Sequence, residues 1–109
     1  MTTLSVLLGK RIKEIRESKN IKRVELAEKI DMEATNLSKL EKGIHMPKED
    51  NLNRISEALD VDIKELFCFN HFQSREKLLK DISKMLKCAT DKEIMFFYKV
   101  LMSYTELKK

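Results

Sequence analysis

Four side chains that can hydrogen-bond to a partner fall close together in the chain: Thr35, Asn36, Ser38 and Lys39. On a helix, this spacing directs them outward beside the small residue Ala34. Such side chains can pair with base edges in the major groove of DNA. Asparagine bridges N6 and N7 of adenine, and threonine can touch a thymine methyl. The segment therefore predicts a helix that is presented to a partner, and its chemistry suits double-stranded DNA.

The residues around this segment predict two short helices that meet at a sharp corner. One apolar series with helical spacing runs through both of them: Leu26, Ala27, Ile30, Met32, Leu37 and Leu40. Ala27 is small and lies where the helices would cross. Asp31 lies at the corner, where Asp tolerates a left-handed backbone better than most other residues with a side chain.

The wider pattern predicts an all-α fold of five short helices followed by a helical hairpin. We expect helices at about Val6–Ser18, Arg23–Ile30, Ala34–Lys42, from Lys48 onward, and in a short segment that Asp62 caps and that ends at Phe67. Ser74 is predicted to cap a helix that runs to Cys88, and Thr90 with Glu93 forms a capping box for the last helix. The predicted domains are a DNA-binding domain at 1–69 and an oligomerisation or regulatory segment at 70–109.

Residues 8–67 resemble the Xre/Cro family of phage-repressor-like helix-turn-helix domains. The resemblance rests on matching segments in order: LGKRIKEIRESKN, VELAEKIDM, NLSKLEKG, Pro47 and NLNRISEALDVDIKELF. It implies a DNA-binding domain whose recognition helix carries base contacts at Ala34, Thr35, Asn36 and Lys39. Residues from about Cys68 onward match no family pattern.

Two positions depart from the family pattern. Arg23 stands where the family usually has Gln, and a guanidinium keeps a phosphate contact but changes what the side chain can bridge. Glu33 stands where Ser or Thr is usual, and Glu is a poor N-cap. Close to DNA, Glu33 would repel phosphate and could accept only from cytosine N4. It therefore reads a cytosine, discriminates against wrong sites or turns aside, and we expect it to turn aside.

Three further positions of the motif carry charge. Lys42 and Lys48 bracket the loop after the recognition helix, where the resemblance implies phosphate contacts; ordinary surface lysines are the alternative. Glu41 matches a position that often pairs with a basic residue of the first helix, here Arg11 or Arg16. We expect this pair to have a structural role.

The last third of the chain carries an apolar and aromatic surplus. Every Phe and Tyr lies between Phe67 and Tyr104. They fit a local core, a dimer interface, or a core with one face shared between protomers, and we favour the shared face. The residues predicted to dimerise are Phe69, Phe72, Phe96, Phe97, Val100, Leu101 and Tyr104. A basic stripe of Lys77, Lys80, Lys84 and Lys87 is best explained as a solvated face, with DNA backbone or an acidic protein as alternatives.

Composition limits the classes of protein that remain. The net charge is +4, but residues 1–70 hold 13 basic and 13 acidic side chains, so net charge alone does not argue for DNA. No apolar run approaches a membrane span, and the start of the chain lacks the features of a signal peptide. Cys68 and Cys88 are far apart, which favours two buried free thiols in a reducing cytoplasm over a disulfide or zinc site.

Two functions from different classes fit these observations. The first is a sequence-specific transcriptional regulator, a repressor by preference, that acts as a homodimer on a two-fold symmetric operator. The second is an antitoxin or another interaction module whose C-terminal helices bind a partner protein. An enzyme is not expected, since no nucleophile, general base or metal cluster has useful spacing. No cofactor and no membrane partner are predicted, although a small apolar ligand pocket in the tail stays open.

Overall fold

The computed structural model describes residues 3–108, and within them all regular secondary structure is helical. The ends of the predicted domain ranges, residues 1–2 and 109, lie outside the described residues. The α-helices are α1 (Leu4–Ser18), α2 (Arg23–Lys29), α3 (Ala34–Glu41), α4 (Glu49–Leu59), α5 (Arg75–Lys87) and α6 (Asp91–Lys108). A 3₁₀ helix, Ile63–Phe67, lies between α4 and α5. The predicted all-α fold is confirmed.

Local sequence accounts for most helix ends. Ser74 caps α5 by accepting from the Lys77 backbone N–H, and Thr90 and Glu93 exchange the two bonds of a capping box at the start of α6. Asn20, Asp31 and Asp60 have left-handed φ angles of 58°, 55° and 57°. These residues end their helices at little steric cost because Asn and Asp tolerate this region.

The chain divides into two compact units, the first ending at Phe72 and the second beginning at Gln73. The functional boundary predicted after Phe69 stays a prediction. The first unit has a continuous core to which α1–α4 and the 3₁₀ helix all contribute: Leu8, Ile12, Ile15, Leu26, Ala27, Ile30, Leu37, Leu40, Leu52, Ile55, Leu59 and Leu66. Apolar burial of this extent is the main force that stabilises a small helical domain.

A close approach between α1 and α3 fixes the recognition segment in this unit. Gly9 is buried, and a Cβ atom there would collide with the backbone carbonyl of Leu40. Only a residue without a side chain therefore allows the two helices to pack at this distance. At the end of α3, Gly43 has a φ of 77°, and its carbonyl accepts a 3.0 Å hydrogen bond from the Ser5 hydroxyl of α1.

The second unit has a different character, because neither α5 nor α6 has a buried residue. The apolar side chains of α6 point in many directions around the helix and remain exposed. A helix that is apolar on most sides is normally buried in a core or an interface. No helix among the described residues is long and apolar enough to cross a membrane.

Two sequence expectations are wrong in detail. Asp62 occupies the N-cap of the fifth helical segment, a five-residue 3₁₀ helix, but its side chain makes no capping hydrogen bond. Cys68 and Cys88 are free thiols, yet both are exposed rather than buried. Each directly follows the end of a helix, where the side chain no longer lies on a packed face.

Candidate nucleic-acid interface

The corner between α2 and α3 is closed by backbone hydrogen bonds. The Met32 N–H donates to the Ala27 carbonyl at 2.8 Å, and the Asp31 N–H donates to the Glu28 carbonyl at 3.2 Å. Asp31 takes the left-handed conformation that these bonds require. Buried Ala27 allows the two helices to cross closely, so the orientation of α3 is fixed by the core below it.

The outward surface of α3 carries the predicted base-reading residues. Thr35, Asn36 and Lys39 are exposed, whereas Ser38 is half-buried. Ala34 is also half-buried and packs against the core. Leu37, Leu40 and Glu41 on the opposite side are buried and anchor the helix. The three exposed side chains therefore form one polar face on a rigid support.

Glu33 lies at the N-cap of α3 with an extended backbone, φ −70° and ψ 143°. Its side chain makes no capping hydrogen bond and is exposed. Its carboxylate is therefore on the surface at the same end of α3 as Thr35. Whether it meets a base or turns aside stays a prediction.

A shallow groove of about 310 Å³ runs along α3 beside the loop to α4. Asn36, His45, Lys48 and Asn51 contribute its polar lining, and Met32, Leu40, Met46 and Pro47 its apolar lining. Lys48 is the N-cap residue of α4, and Lys42 is the C-cap residue of α3, so both lysines lie at helix ends and are exposed. Asn51 was not predicted as a site residue, although its position one helical turn after Lys48 is a signal that indicates it.

Arg23 opens α2 and lies partly exposed beside the end of α3. Its Nε donates to Glu41 Oε1 at 3.0 Å. Glu41 also accepts from Arg16 of α1, from Nε at 2.7 Å and from Nη2 at 3.2 Å. Of the two predicted partners for Glu41, Arg16 makes the contact, and Arg11 instead donates to Glu14 and to the Glu65 carbonyl. The link between Glu41 and Arg23 was not foreseen.

A second polar cluster ties the end of the first unit to α1. Glu14 accepts from Arg11, and its Oε1 lies 2.7 Å from His71 Nε2. Partial burial raises the pKa of Glu14, but hydrogen bonds from Arg11 and His71 and their positive charges outweigh it and lower the pKa below 4.5. The Lys10 ammonium lies 4.9 Å from the centre of the Phe72 ring.

The residues predicted to dimerise fall into two groups. Phe69 packs against the core of the first unit, and Phe72 lies beneath Lys10, so both have neighbours within that unit. The other predicted residues are exposed on α6: Phe96, Phe97, Val100, Leu101 and Tyr104. They stay predictions.

Two apolar grooves run along α6 in the second unit. One, of about 270 Å³, lies between α5 and α6 and is lined by Ile82, Met85, Leu86, Phe97, Val100 and Leu101. The other, of about 650 Å³, includes Met95, Phe96, Tyr104 and Leu107. On α5 the predicted basic stripe is exposed, and Lys77 pairs with Asp81 at 2.8 Å. In the described part of the chain, no group of three or more His, Cys, Asp or Glu side chains is arranged to hold a metal ion.

The first unit is similar in sequence to known proteins. A family model described as helix-turn-helix matches residues 12–66. The control protein C.BamHI of Bacillus amyloliquefaciens is 36% identical over 67 residues, which are 61% of this chain and 83% of that protein. The family match contains α2, the corner and α3.

Solved structures extend the comparison. The restriction-modification controller protein C.AhdI of Aeromonas hydrophila has a TM-score of 0.55 and 26% identity, over 56% of this chain and 92% of its own. A structure described as a SinR protein/SinI protein complex has a TM-score of 0.55 and 25% identity, over 91% of this chain and 98% of its own. Because the match to the SinR protein/SinI protein complex covers 91% of this chain, it extends beyond the first unit, which ends at Phe72.

Proposed function

This chain belongs to the helix-turn-helix family of DNA-binding regulators, and from that premise we propose that it is a sequence-specific transcriptional regulator. It acts as a homodimer on a two-fold symmetric operator and represses by occupying the promoter. In each protomer α3 enters the major groove, and the two recognition helices lie about 34 Å apart along the DNA. The resemblance to phage-repressor-like domains inferred from the sequence is confirmed.

The observation that carries this proposal is the division of α3 into two faces. Its apolar side chains are buried in the core, while Thr35, Asn36 and Lys39 extend from the other side. A rigid helix that presents hydrogen-bonding side chains is what direct reading of base edges requires. Asn36 pairs with adenine N6 and N7, Thr35 contacts a thymine methyl, and Lys39 donates to guanine or to a phosphate.

The residues around this face supply the remaining contacts. Arg23, Lys42 and Lys48 bind phosphates on either side of the groove and set the register of α3. Ser38 and Ala34, which are half-buried, contribute only at the edge of the interface. Glu33 turns aside from the DNA.

The apolar surface of the second unit supports the homodimer. Phe97, Val100 and Leu101 line an open groove between α5 and α6, and aromatic and aliphatic residues of this kind occupy the centres of protein interfaces. A single helix-turn-helix unit buries little surface on DNA, and pairing two units raises both affinity and specificity. A dimer joined through α6 would cover the apolar surface of the second unit and would also bring two recognition helices to the DNA.

A partner protein is the second candidate occupant of the same helices. The structure of a SinR protein/SinI protein complex resembles this chain over 91% of its length. In this alternative a different protein covers α5 and α6 and prevents the homodimer from forming, which would control DNA binding without any change in α3. Mass measurement of the chain purified from its natural source separates a homodimer from a complex with a second protein.

Selection of bound sequences from random duplex DNA, with the mass of the selected complex measured, tests the proposal. We expect a two-fold symmetric consensus and a complex of two chains on one duplex. Selection that enriches no sequence would contradict sequence-specific binding. A consensus without symmetry, bound by one chain, would contradict the homodimer alone.

A further inference from the structure

A buried carboxylate at the end of α3 joins arginines from two other helices. Glu41 is 1% exposed, and its two oxygens accept three N–H groups, two from Arg16 of α1 and one from Arg23 of α2. Hydrogen bonds between ionised groups are short and strong, and removal from water strengthens them further. The three helices that build the motif are therefore connected through one side chain.

The two arginines have different surroundings. The Arg16 side chain is 7% exposed and uses its remaining nitrogen, Nη1, to donate to the Ile21 carbonyl at 2.8 Å. The Arg23 side chain is 37% exposed and bonds through Nε alone. Among residues 3–108, neither Nη1 nor Nη2 of Arg23 makes a hydrogen bond, and the shortest approach to Glu41 is through Nε. All three guanidinium nitrogens of Arg16 therefore bond within the interior, whereas the outer edge of Arg23, formed by Nη1 and Nη2, remains available to a partner.

Charge also favours an anion at Arg23. Two guanidinium groups share one carboxylate, so the cluster of Arg16, Glu41 and Arg23 carries one surplus positive charge. Glu17 lies 4.0 Å from Arg16 Nη2, but its side chain is 56% exposed, so solvent screens its charge. The surplus charge therefore reaches the surface at Arg23.

The free edge of Arg23 has the geometry of a phosphate ligand. With Nε held by Glu41, Nη1 and Nη2 are left with parallel N–H groups, which match two oxygens of one phosphate. An arginine that is already held in place loses less rotamer freedom on binding. Lysine has no second edge of this kind, so it cannot serve a buried carboxylate and a phosphate in one plane.

We propose that Glu41 is a positioning residue for DNA binding, which fixes the Arg23 guanidinium so that its outer edge grips a backbone phosphate beside α3. This role rests on the proposed DNA-binding function and adds to it a residue that does not itself touch DNA. It also gives a physical reason for Arg at position 23, where the resembling family usually has Gln, since a neutral amide held by Glu41 would bring no positive charge to a phosphate.

The link between the two residues is tested first without DNA. In the nuclear magnetic resonance spectrum of the full chain, the Nε–H of Arg23 is expected to exchange with water more slowly than that of Arg54. Arg54 is exposed and has no ion-pair partner in the described part of the chain, so it is the internal reference. Equal exchange rates for the two arginines would overturn the proposal, whatever the protein does with DNA.

The effect on DNA is measured on the duplex obtained by selection. Arg23→Lys keeps the charge but loses the two-edged geometry, and we expect its affinity to fall by about tenfold, as the loss of a charged hydrogen bond implies. Arg23→Gln should also reduce the slope of log affinity against log salt by about one per protomer. Lys29→Ala, at the far end of α2, is the matched control and should change neither quantity. An Arg23→Lys protein that binds as tightly as the unchanged chain would contradict the proposal.

The dependence on Glu41 is tested by a double-mutant cycle. Glu41→Asp preserves the charge that buried Arg16 needs but shortens the reach toward Arg23. A thermal transition first shows that each variant is folded. Glu41→Asp should then reduce DNA affinity when position 23 is Arg, and should cause no further loss when position 23 is Gln. An equal loss in both backgrounds would mean that Glu41 acts on α3 generally rather than through Arg23.

Discussion

The two units of this chain contain similar kinds of apolar residues but use them differently. In the first unit these side chains form a closed core, while in the second unit neither helix has a buried residue. Within the described residues, every buried side-chain nitrogen or oxygen has a hydrogen-bond partner. The first unit therefore has a closed core of its own, whereas the apolar side chains of the second unit remain exposed, and a surface of that kind is typical of protein interfaces.

Removal of the second unit is expected to have the largest effect on DNA binding. A fragment that ends at Phe72 keeps the whole core and the contacts of His71 and Phe72 with α1, so we expect it to fold as a monomer. Without the link between protomers, its operator affinity should fall by ~10²–10⁴-fold, since two joined binding units gain by that order. Sedimentation and DNA titration of the fragment measure both effects. A fragment that remains dimeric would show that the interface lies in the first unit.

Leucine-to-alanine substitutions in the two units are expected to differ in their effect on the free energy of unfolding. Leu26 is fully buried, so Leu26→Ala should lower the free energy of unfolding by about 2–5 kcal/mol. Leu101 is 61% exposed, so Leu101→Ala should change the unfolding of a dilute monomer by less than about 0.5 kcal/mol and weaken dimerisation instead. Denaturant titration and sedimentation at several protein concentrations distinguish the two. Equal destabilisation of the monomer would mean that α6 has a core of its own.

Much of this architecture follows from local sequence. The period of the apolar residues predicts α2 and α3, and Asn20, Asp31, Ser74 and the Thr90–Glu93 box define helix ends through short-range chemistry. These features are predictable because each depends on residues within about one helical turn.

The features that could not be predicted depend on long-range contacts. The choice of Arg16 over Arg11 as the partner of Glu41 is set by how α1 packs, because Arg11 is drawn to the 3₁₀ helix. Arg23 meets Glu41 across 18 positions of sequence, and no local pattern encodes that meeting. The exposure of Cys88 was missed for the same reason, since a residue's burial depends on what covers its helix.

The cluster at the end of the first unit gives a smaller, pH-dependent effect. The pKa of Glu14 is lower in the folded protein than its ordinary value of 4.5, so its contribution to stability is present above that pH and is lost as the pH falls through the folded pKa. Glu14 is 39% exposed, so solvent screening keeps the contribution below about 1 kcal/mol. Glu14→Gln should therefore be slightly less stable than the unchanged chain at pH 7, and the difference should disappear once the pH has fallen through the folded-state pKa of Glu14.

Thermal unfolding across this pH range measures the difference between the two proteins. Glu28→Gln is the control, since Glu28 is an exposed acid on α2 that has no ion-pair partner within residues 3–108. We expect no pH-dependent difference for that variant. A stability gap for Glu14→Gln that persists unchanged to low pH would show that the carboxylate charge is not its source.

The role of α3 as the recognition helix is tested most directly by a comparison of two asparagines of the first unit on the selected duplex. Asn36 is exposed on α3 and Asn53 is exposed on α4, so the two alanine substitutions remove the same chemistry from different helices. Asn36→Ala should lose ~1–3 kcal/mol of binding free energy and relax the preference at one base pair per half-site. Asn53→Ala should change neither. If Asn36→Ala binds the whole panel of single-base variants as the unchanged protein does, α3 is not the helix that reads the DNA.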